Sequence, residues 1–194
     1  EERGRRKLRT AVKGRRVVVV GGGSVAMDCA VTAKRLGAAR VYAVSLEALE
    51  ELPADADEKT LAFHEGVRFK PNCRVTGIGG KNGRVQAVRG VEIRWKKPGR
   101  FVPDNAVDLA GSSFTLPAEV VVQAIGAGLS AASRTLLATV KSSKNGRPVV
   151  DLQTMRTSNQ RIFAGGDLAA VGKTVAASVL DGKRAADAIA QAFP

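Results

Sequence analysis

The sequence predicts an α/β fold built on a parallel sheet, and three observations near its start predict it. Val17-Val18-Val19-Val20 is a run of β-branched residues that stops abruptly at Gly21-Gly22-Gly23. Such a run suits a strand buried on both faces, as in a parallel sheet. From Ser24 to Leu36 the period changes. Val25, Met27, Ala30, Val31, Ala33, Lys34 and Leu36 favour a helix with a small-residue face, and Gly37 suits its C-terminal stop. A second apolar run, Val41-Tyr42-Ala43-Val44, follows. Strand, glycine turn, helix and strand within about 30 residues make a βαβ unit.

The remaining elements follow in order. Residues 47–56 are acidic and helix-compatible, interrupted by Pro53. A short helix is predicted over Asp57 to Glu65, ending at Gly66. Val67 to Phe69 and Arg74 to Ile78 read as short strands. Gly79-Gly80-Lys81-Asn82-Gly83 is a turn cluster, and Arg84 to Trp95 alternates like a strand. Together these predict a β-hairpin or meander crossing over the sheet. Lys96 to Leu116 is polar, with Pro98, Gly99 and Pro103, and predicts a loop with further short strands. Glu119 to Ile125 returns to a buried strand, closed by Gly126-Ala127-Gly128. Beyond it, Val149 to Asp151 and Thr154 to Thr157 are short extended pieces. Arg161 to Ala164 is a strand meeting Gly165-Gly166-Asp167, and a helix of small residues is predicted from about Val171 to Ala192.

The 194 residues allow one domain, or one domain plus a piece of another. Hydrophobic residues make up 44% and aromatics 4%, so the core must be aliphatic, and a disordered or collagen-like chain is excluded. No apolar run approaches the ~20 residues of a membrane span. The opening EERGRRKLRT lacks the apolar core of a signal peptide. Cys29 and Cys73 are too far apart for a CxxC pair or a metal knuckle. They are expected as packing residues in a reducing, cytoplasmic setting, and no metal site is expected. The net charge of +13, read alone, suggests nucleic acid or an anionic membrane. Eight basic and two acidic side chains, however, fall within residues 1–16, an arm with no aromatic to stack on a base. Residues 1–14 are therefore expected to form a solvated basic linker, and nucleic acid and membrane are not expected as partners.

Gly21-Gly22-Gly23-Ser24-Val25-Ala26 fits GxGxxA, a variant of the dinucleotide-binding fingerprint. Gly21 permits the tight turn out of the strand. Gly23 lets the backbone approach a pyrophosphate, and Ala26 lets the helix lie close to the strand. The N–H groups of Gly22 to Val25, at the positive end of the helix dipole, then suit phosphate. The competing reading is an ordinary glycine-rich βα turn. At the end of the second strand an acid accepts bonds from the ribose of NAD, whereas an arginine neutralises the extra phosphate of NADP. Ser45 and Glu47 occupy that place, and no arginine lies between Val41 and Lys59. NADH is thus favoured, unless Glu47 is simply solvated. Ile125 and Gly126 close a strand at the same end of the sheet, where a glycine lets the chain pass close to a nucleotide.

VVVVGGGSVAMDCAVTAKRLGA (17–38), EGVRF (65–69), VVQAIG (121–126) and TSNQRIFAGGD with GKTVAASVLDGKRAADAI (157–189) occur in a characteristic order. The chain resembles the C-terminal part of the glutamate synthase small-subunit family and is similar to dihydropyrimidine dehydrogenase and related FAD-dependent pyridine nucleotide oxidoreductases. The resemblance covers nearly everything after residue 14. It implies a Rossmann-like NAD(P)H-binding domain over 15–150, with a parallel sheet and a β-meander crossover, and the C-terminal segment of a split FAD-binding domain over 151–194. It implies hydride passing from NAD(P)H to FAD and onward to an iron–sulfur or substrate partner. Gly166 and Asp167 would then belong to a flavin site, and Thr174 and Val175 would start a helix near the flavin ring. Gly182 would be a close-packed helix position. Leu46 and Glu47 replace the basic pair found in NADPH-using members. The N-terminal half of the FAD domain is absent, so a fragment is expected, inactive by itself and completed by the same polypeptide or by a partner subunit. A non-catalytic NAD(H)-binding or regulatory module is the alternative. His64, Trp95 and both cysteines are expected to be structural or surface residues, with no catalytic side chain.

Overall fold

A computed structural model describes residues 2–126, 130–143, 146–169 and 174–192. The chain forms two compact units, Glu1–Gly126 and Ala127–Pro194. The sequence reading carried the first domain to residue 150. The two compact units divide earlier, after Gly126, and two residues beyond that point bond forward. The Lys141 N–H donates to the Ser158 hydroxyl, and the Asp151 N–H donates to the Arg156 carbonyl.

The first unit is built on a four-stranded parallel sheet of β1 (Arg16–Val20), β2 (Arg40–Val44), β3 (Arg68–Lys70) and β8 (Val120–Gln123), in the order β3-β2-β1-β8. Its strands alternate between two cores. Val17, Val19, Val41 and Ala43 face α2 (Ser24–Arg35) and α3 (Ala56–His64), where Ala26, Met27, Ala30 and Ala62 are buried. Val18 and Val44 face the other way, with Cys73, Val88 and Ala118. Small residues on α2 let it lie close to the sheet. Gly37, at φ +91°, follows its end, as the sequence predicts.

That second core is closed by the predicted meander. It consists of β4 (Cys73–Lys81), β5 (Arg84–Trp95), β6 (Ala106–Asp108) and β7 (Phe114–Pro117), and β5 pairs antiparallel with the other three. Asn82 and Gly83 both adopt positive φ between β4 and β5, the Asn-Gly chemistry of a tight hairpin. The acidic stretch 47–55 is not helical. Asp55 instead caps α3 in a capping box with Glu58, so the helix begins only after the carboxylate that stabilises its start.

Two expectations change. The basic arm is not a free linker: Glu2–Val12 is a helix, α1, whose described residues are exposed except Val12, and the Gly14 N–H that follows donates to the Gly37 carbonyl. In the second unit, residues 127–150 hold an unpredicted short helix, α4 (Ala131–Leu137), whose N-cap Ser130 accepts the Ser133 N–H. Among the extended pieces near 149–164 one isolated bridge forms, between Arg156 and Phe163, and another joins Ser142 and Pro148 just before them. The unit ends on α5 (Val175–Ala192). The predicted helix residues 171–173 and the predicted turn residues 127–128 lie outside the described residues. No helix among the described residues is long and apolar enough to cross a membrane.

Candidate dinucleotide cleft

The C-terminal ends of β1, β2 and β8 open onto a cleft of about 670 Å³. Open parallel sheets bind ligands at this end. The glycine turn forms its floor. Gly21 has φ +137°, and a Cβ there would run into the Ala124 carbonyl, so only glycine makes this exit from β1. A Cβ on Gly22 would lie 2.6 Å from Leu52 Cδ2 and 3.2 Å from Glu47 Oε2. A Cβ on Gly23 would meet nothing within 4 Å. Gly23 thus faces open space, while Ala26, in the first turn of α2, is fully buried. Gly23 is also the N-cap of α2 and supplies no side chain to bond its first N–H groups. A helix start with orphan donors, a positive dipole end and a floor without side chains fits a phosphate.

The structure brings most of the sequence candidates together. Gly21, Gly22, Gly23, Ser24, Val25, Ser45, Glu47, Ile125 and Gly126 all line this cleft. Ser45 is buried, and its hydroxyl donates to the Glu47 carbonyl at 3.0 Å, shaping the turn after β2. Val25 and Ile125 are large apolar side chains left well exposed at the rim. Gly126 has φ +84° with open space at its missing Cβ. Ala26 does not line the cleft; it acts by packing.

Several cleft residues escaped the sequence reading: Pro53, Arg74, Ile78, Phe101 and Pro103. The meander brings in all of them but Pro53, which lies between β2 and α3. The Cys73 N–H donates to the Ser45 carbonyl at 2.7 Å and the Asn72 N–H to the Glu47 carbonyl at 3.2 Å, so β4 starts beside the end of β2. Phe101 meets Trp95 edge to face at 5.5 Å. Two signals were available: the charge of Arg74 within an otherwise apolar strand start, and the apolar Phe101-Val102-Pro103 inside a polar loop. Both cysteines are free thiols, and burial pushes their pKa values up, so they pack as neutral groups. His64 is exposed at the end of α3.

The second unit holds the other candidates. Gly166 sits at φ +59° and its N–H donates to Asp181 Oδ2 at 2.9 Å, with Asp181 2% exposed. The Asp167 carbonyl accepts from Arg147 Nη1 at 2.7 Å, and its side chain is exposed. The Thr174 hydroxyl accepts the Ala177 N–H at 3.2 Å, capping α5, and Val175 is 82% exposed. The structure corrects one expectation here. Gly182, expected to be close-packed, is exposed, and a Cβ on it would meet nothing within 4 Å among the described residues. The neighbouring Asp181 is the buried residue of that stretch.

Comparison with known proteins identifies the family and the fold. The chain is 36% identical over 182 residues to the NADP(+)-dependent formate dehydrogenase subunit beta of Moorella thermoacetica, covering 93% of this chain and 25% of that one. It is 34% identical over 183 residues to the glutamate synthase [NADPH] small chain of Escherichia coli K12, covering 92% of this chain and 39% of that one. The chain therefore spans well under half the length of these relatives. In fold it is similar to thioredoxin reductase of T. acidophilum, with a TM-score of 0.74 at 20% identity, over 98% of this chain and 57% of that one. A family model for pyridine nucleotide-disulphide oxidoreductases matches residues 3–192, and the chain belongs to that family.

Proposed function

We propose that the cleft binds a nicotinamide dinucleotide, with NADH preferred, and that the chain presents it to a flavin. The observation that carries this reading is Gly23: a helix N-cap without side chain, facing open space at the end of a buried parallel strand. The bound cofactors supply the hydride chemistry. The chain's residues bind and orient. Gly22 to Val25 would hold the pyrophosphate on backbone N–H groups. Glu47, whose carboxylate lies beside Gly22, would accept the adenine-side ribose hydroxyls. Ile125 and Gly126 would flank the other half of the dinucleotide.

The preference for NADH rests on charge. Glu47 and Arg74 are the charged residues among those lining the cleft, and Arg74 already serves Asp108 and two carbonyls. The two relatives above carry NADP in their names. This chain departs from them in our reading because a carboxylate stands where a 2′-phosphate would fall.

For the second unit we propose a share of a flavin site completed by further sequence of the same polypeptide or by a partner subunit. Asp167 would meet the ribityl or pyrophosphate part of FAD, on a turn pinned by Asp181 and Arg147. The start of α5 at Thr174 and Val175 would stabilise negative charge on the reduced ring. Electrons would pass onward to an iron–sulfur or substrate partner, and the free thiols suit a reducing, cytoplasmic setting. Glu47→Arg tests the core of the proposal. It is expected to weaken NADH by about tenfold or more, the worth of a charge-assisted hydrogen bond, and to improve NADPH. An unchanged NADH preference would remove Glu47 as the ribose ligand.

A further inference from the structure

Arg74 is unusual among the residues that line the cleft. It is their single cation, and three separate groups hold its guanidinium. Nη2 donates to the Pro103 carbonyl at 3.0 Å and to the Ala106 carbonyl at 2.9 Å. Nε lies 3.2 Å from Asp108 Oδ1, close enough for an ion pair but off the hydrogen-bond axis, so the contact is mainly one of charge. The loop that receives these bonds is itself cross-linked. Buried Asn105 donates to the Lys97 and Arg100 carbonyls and accepts the Lys97 N–H, and β6 pairs with the end of β5. Two bonds to backbone carbonyls therefore remain to hold Arg74 if its counter-ion is removed.

Position matters as much as restraint. Cys73, the residue before Arg74, is hydrogen-bonded through its N–H to the Ser45 carbonyl. Arg74 thus leaves the backbone beside the Ser45–Glu47 turn, at the ribose end of the cleft. Asp108 stands behind the wall and does not line the cleft. A fixed cation beside a ribose would attract a further phosphate unless its charge were cancelled at source.

We infer that Asp108 is a specificity-determining residue: it neutralises Arg74 from behind, so that the cleft offers no free positive charge to a 2′-phosphorylated dinucleotide. The inference rests on the dinucleotide reading of the cleft and adds to it a second determinant, independent of Glu47. Asp108 is half-exposed, so a polar replacement there stays solvated, and Arg74 keeps its Nη2 bonds to the Pro103 and Ala106 carbonyls.

The test is titration of the whole chain and of Asp108→Asn with NADH and NADPH at low salt. Because partly exposed ion pairs are worth up to about 1 kcal/mol, NADPH is expected to tighten by about 3–5-fold while NADH stays within about twofold. Added salt should erase the gain, and the double variant Arg74→Met, Asp108→Asn should return the ratio to its starting value. Asp108→Ser gives the same readout should the asparagine variant fold poorly. A ratio of NADPH to NADH affinity unchanged in these single variants, with NADH still bound, overturns the inference and leaves the dinucleotide reading intact. Wild-type chain that binds neither nucleotide overturns the dinucleotide reading itself.

Discussion

Gly21 passes so close to Ala124 that a Cβ on the glycine would strike the alanine's carbonyl oxygen. The two residues are stitched to neighbouring strands. The Gly21 N–H donates to the Val44 carbonyl at 2.9 Å, and the Ala124 N–H donates to the Val20 carbonyl at 2.8 Å. β1 leaves the sheet through this gap. Gly21→Ala is expected to cost about 1–3 kcal/mol from backbone strain alone, and more where the collision moves β8. Urea denaturation measures the loss, and an unchanged midpoint would contradict the packing.

Gly23 makes the contrasting prediction. Its φ is −86° and space lies open before it, so Gly23→Ala should alter stability by no more than about 0.5 kcal/mol. The added methyl would stand where a pyrophosphate must approach. NADH affinity should therefore fall by about tenfold or more while the melting temperature holds. Equal NADH affinity in the variant and the parent chain would count against a phosphate at this turn.

Asp181 should matter for the second unit. Its buried carboxylate accepts the Gly166 N–H, which sits at positive φ and has little freedom to find another partner. Asp181→Ala should destabilise by about 1–3 kcal/mol, the cost of an unsatisfied buried donor, and Asp181→Asn by less because its amide oxygen still accepts. Thermal unfolding of the two variants beside the parent ranks them, and an alanine variant as stable as the asparagine one would contradict this role.

Arg16 and Glu119 tie the start of β1 to the start of β8. The carboxylate accepts the Arg16 N–H at 2.8 Å and Nε at 3.1 Å, and these bonds hold its pKa below the ordinary glutamate value. A group whose pKa is depressed on folding contributes stability above its unfolded pKa and loses it as pH falls through the folded one. The melting-temperature gap between the parent chain and Glu119→Gln should be fully present at neutral pH and shrink below about pH 4. A gap that stays constant with pH would show that the charge contributes nothing.

Much of the first unit was legible in the sequence because period and punctuation agree there. Four consecutive valines, a glycine turn, a small-residue helix and a second apolar run admit one arrangement, and Asn82-Gly83 marks its hairpin without help from distant contacts. The floor of the cleft was legible for the same reason. Its wall was not. Arg74, Phe101 and Pro103 reach the cleft only through the pairing of β4, β5 and β6, which brings together residues about thirty apart in sequence. α1 was not legible because its charge suits a solvated arm and, among its described residues, Val12 alone is buried. α4 was missed because it is short, with Leu137 as its buried residue.

The central claim, a dinucleotide cleft that prefers NADH, is tested most directly by isothermal titration of the chain with NADH and NADPH under identical conditions. The account predicts saturable NADH binding at one site, with NADPH weaker by about tenfold, roughly the worth of one charge-assisted ribose contact. Absence of binding by both, or tighter binding of NADPH, would contradict it.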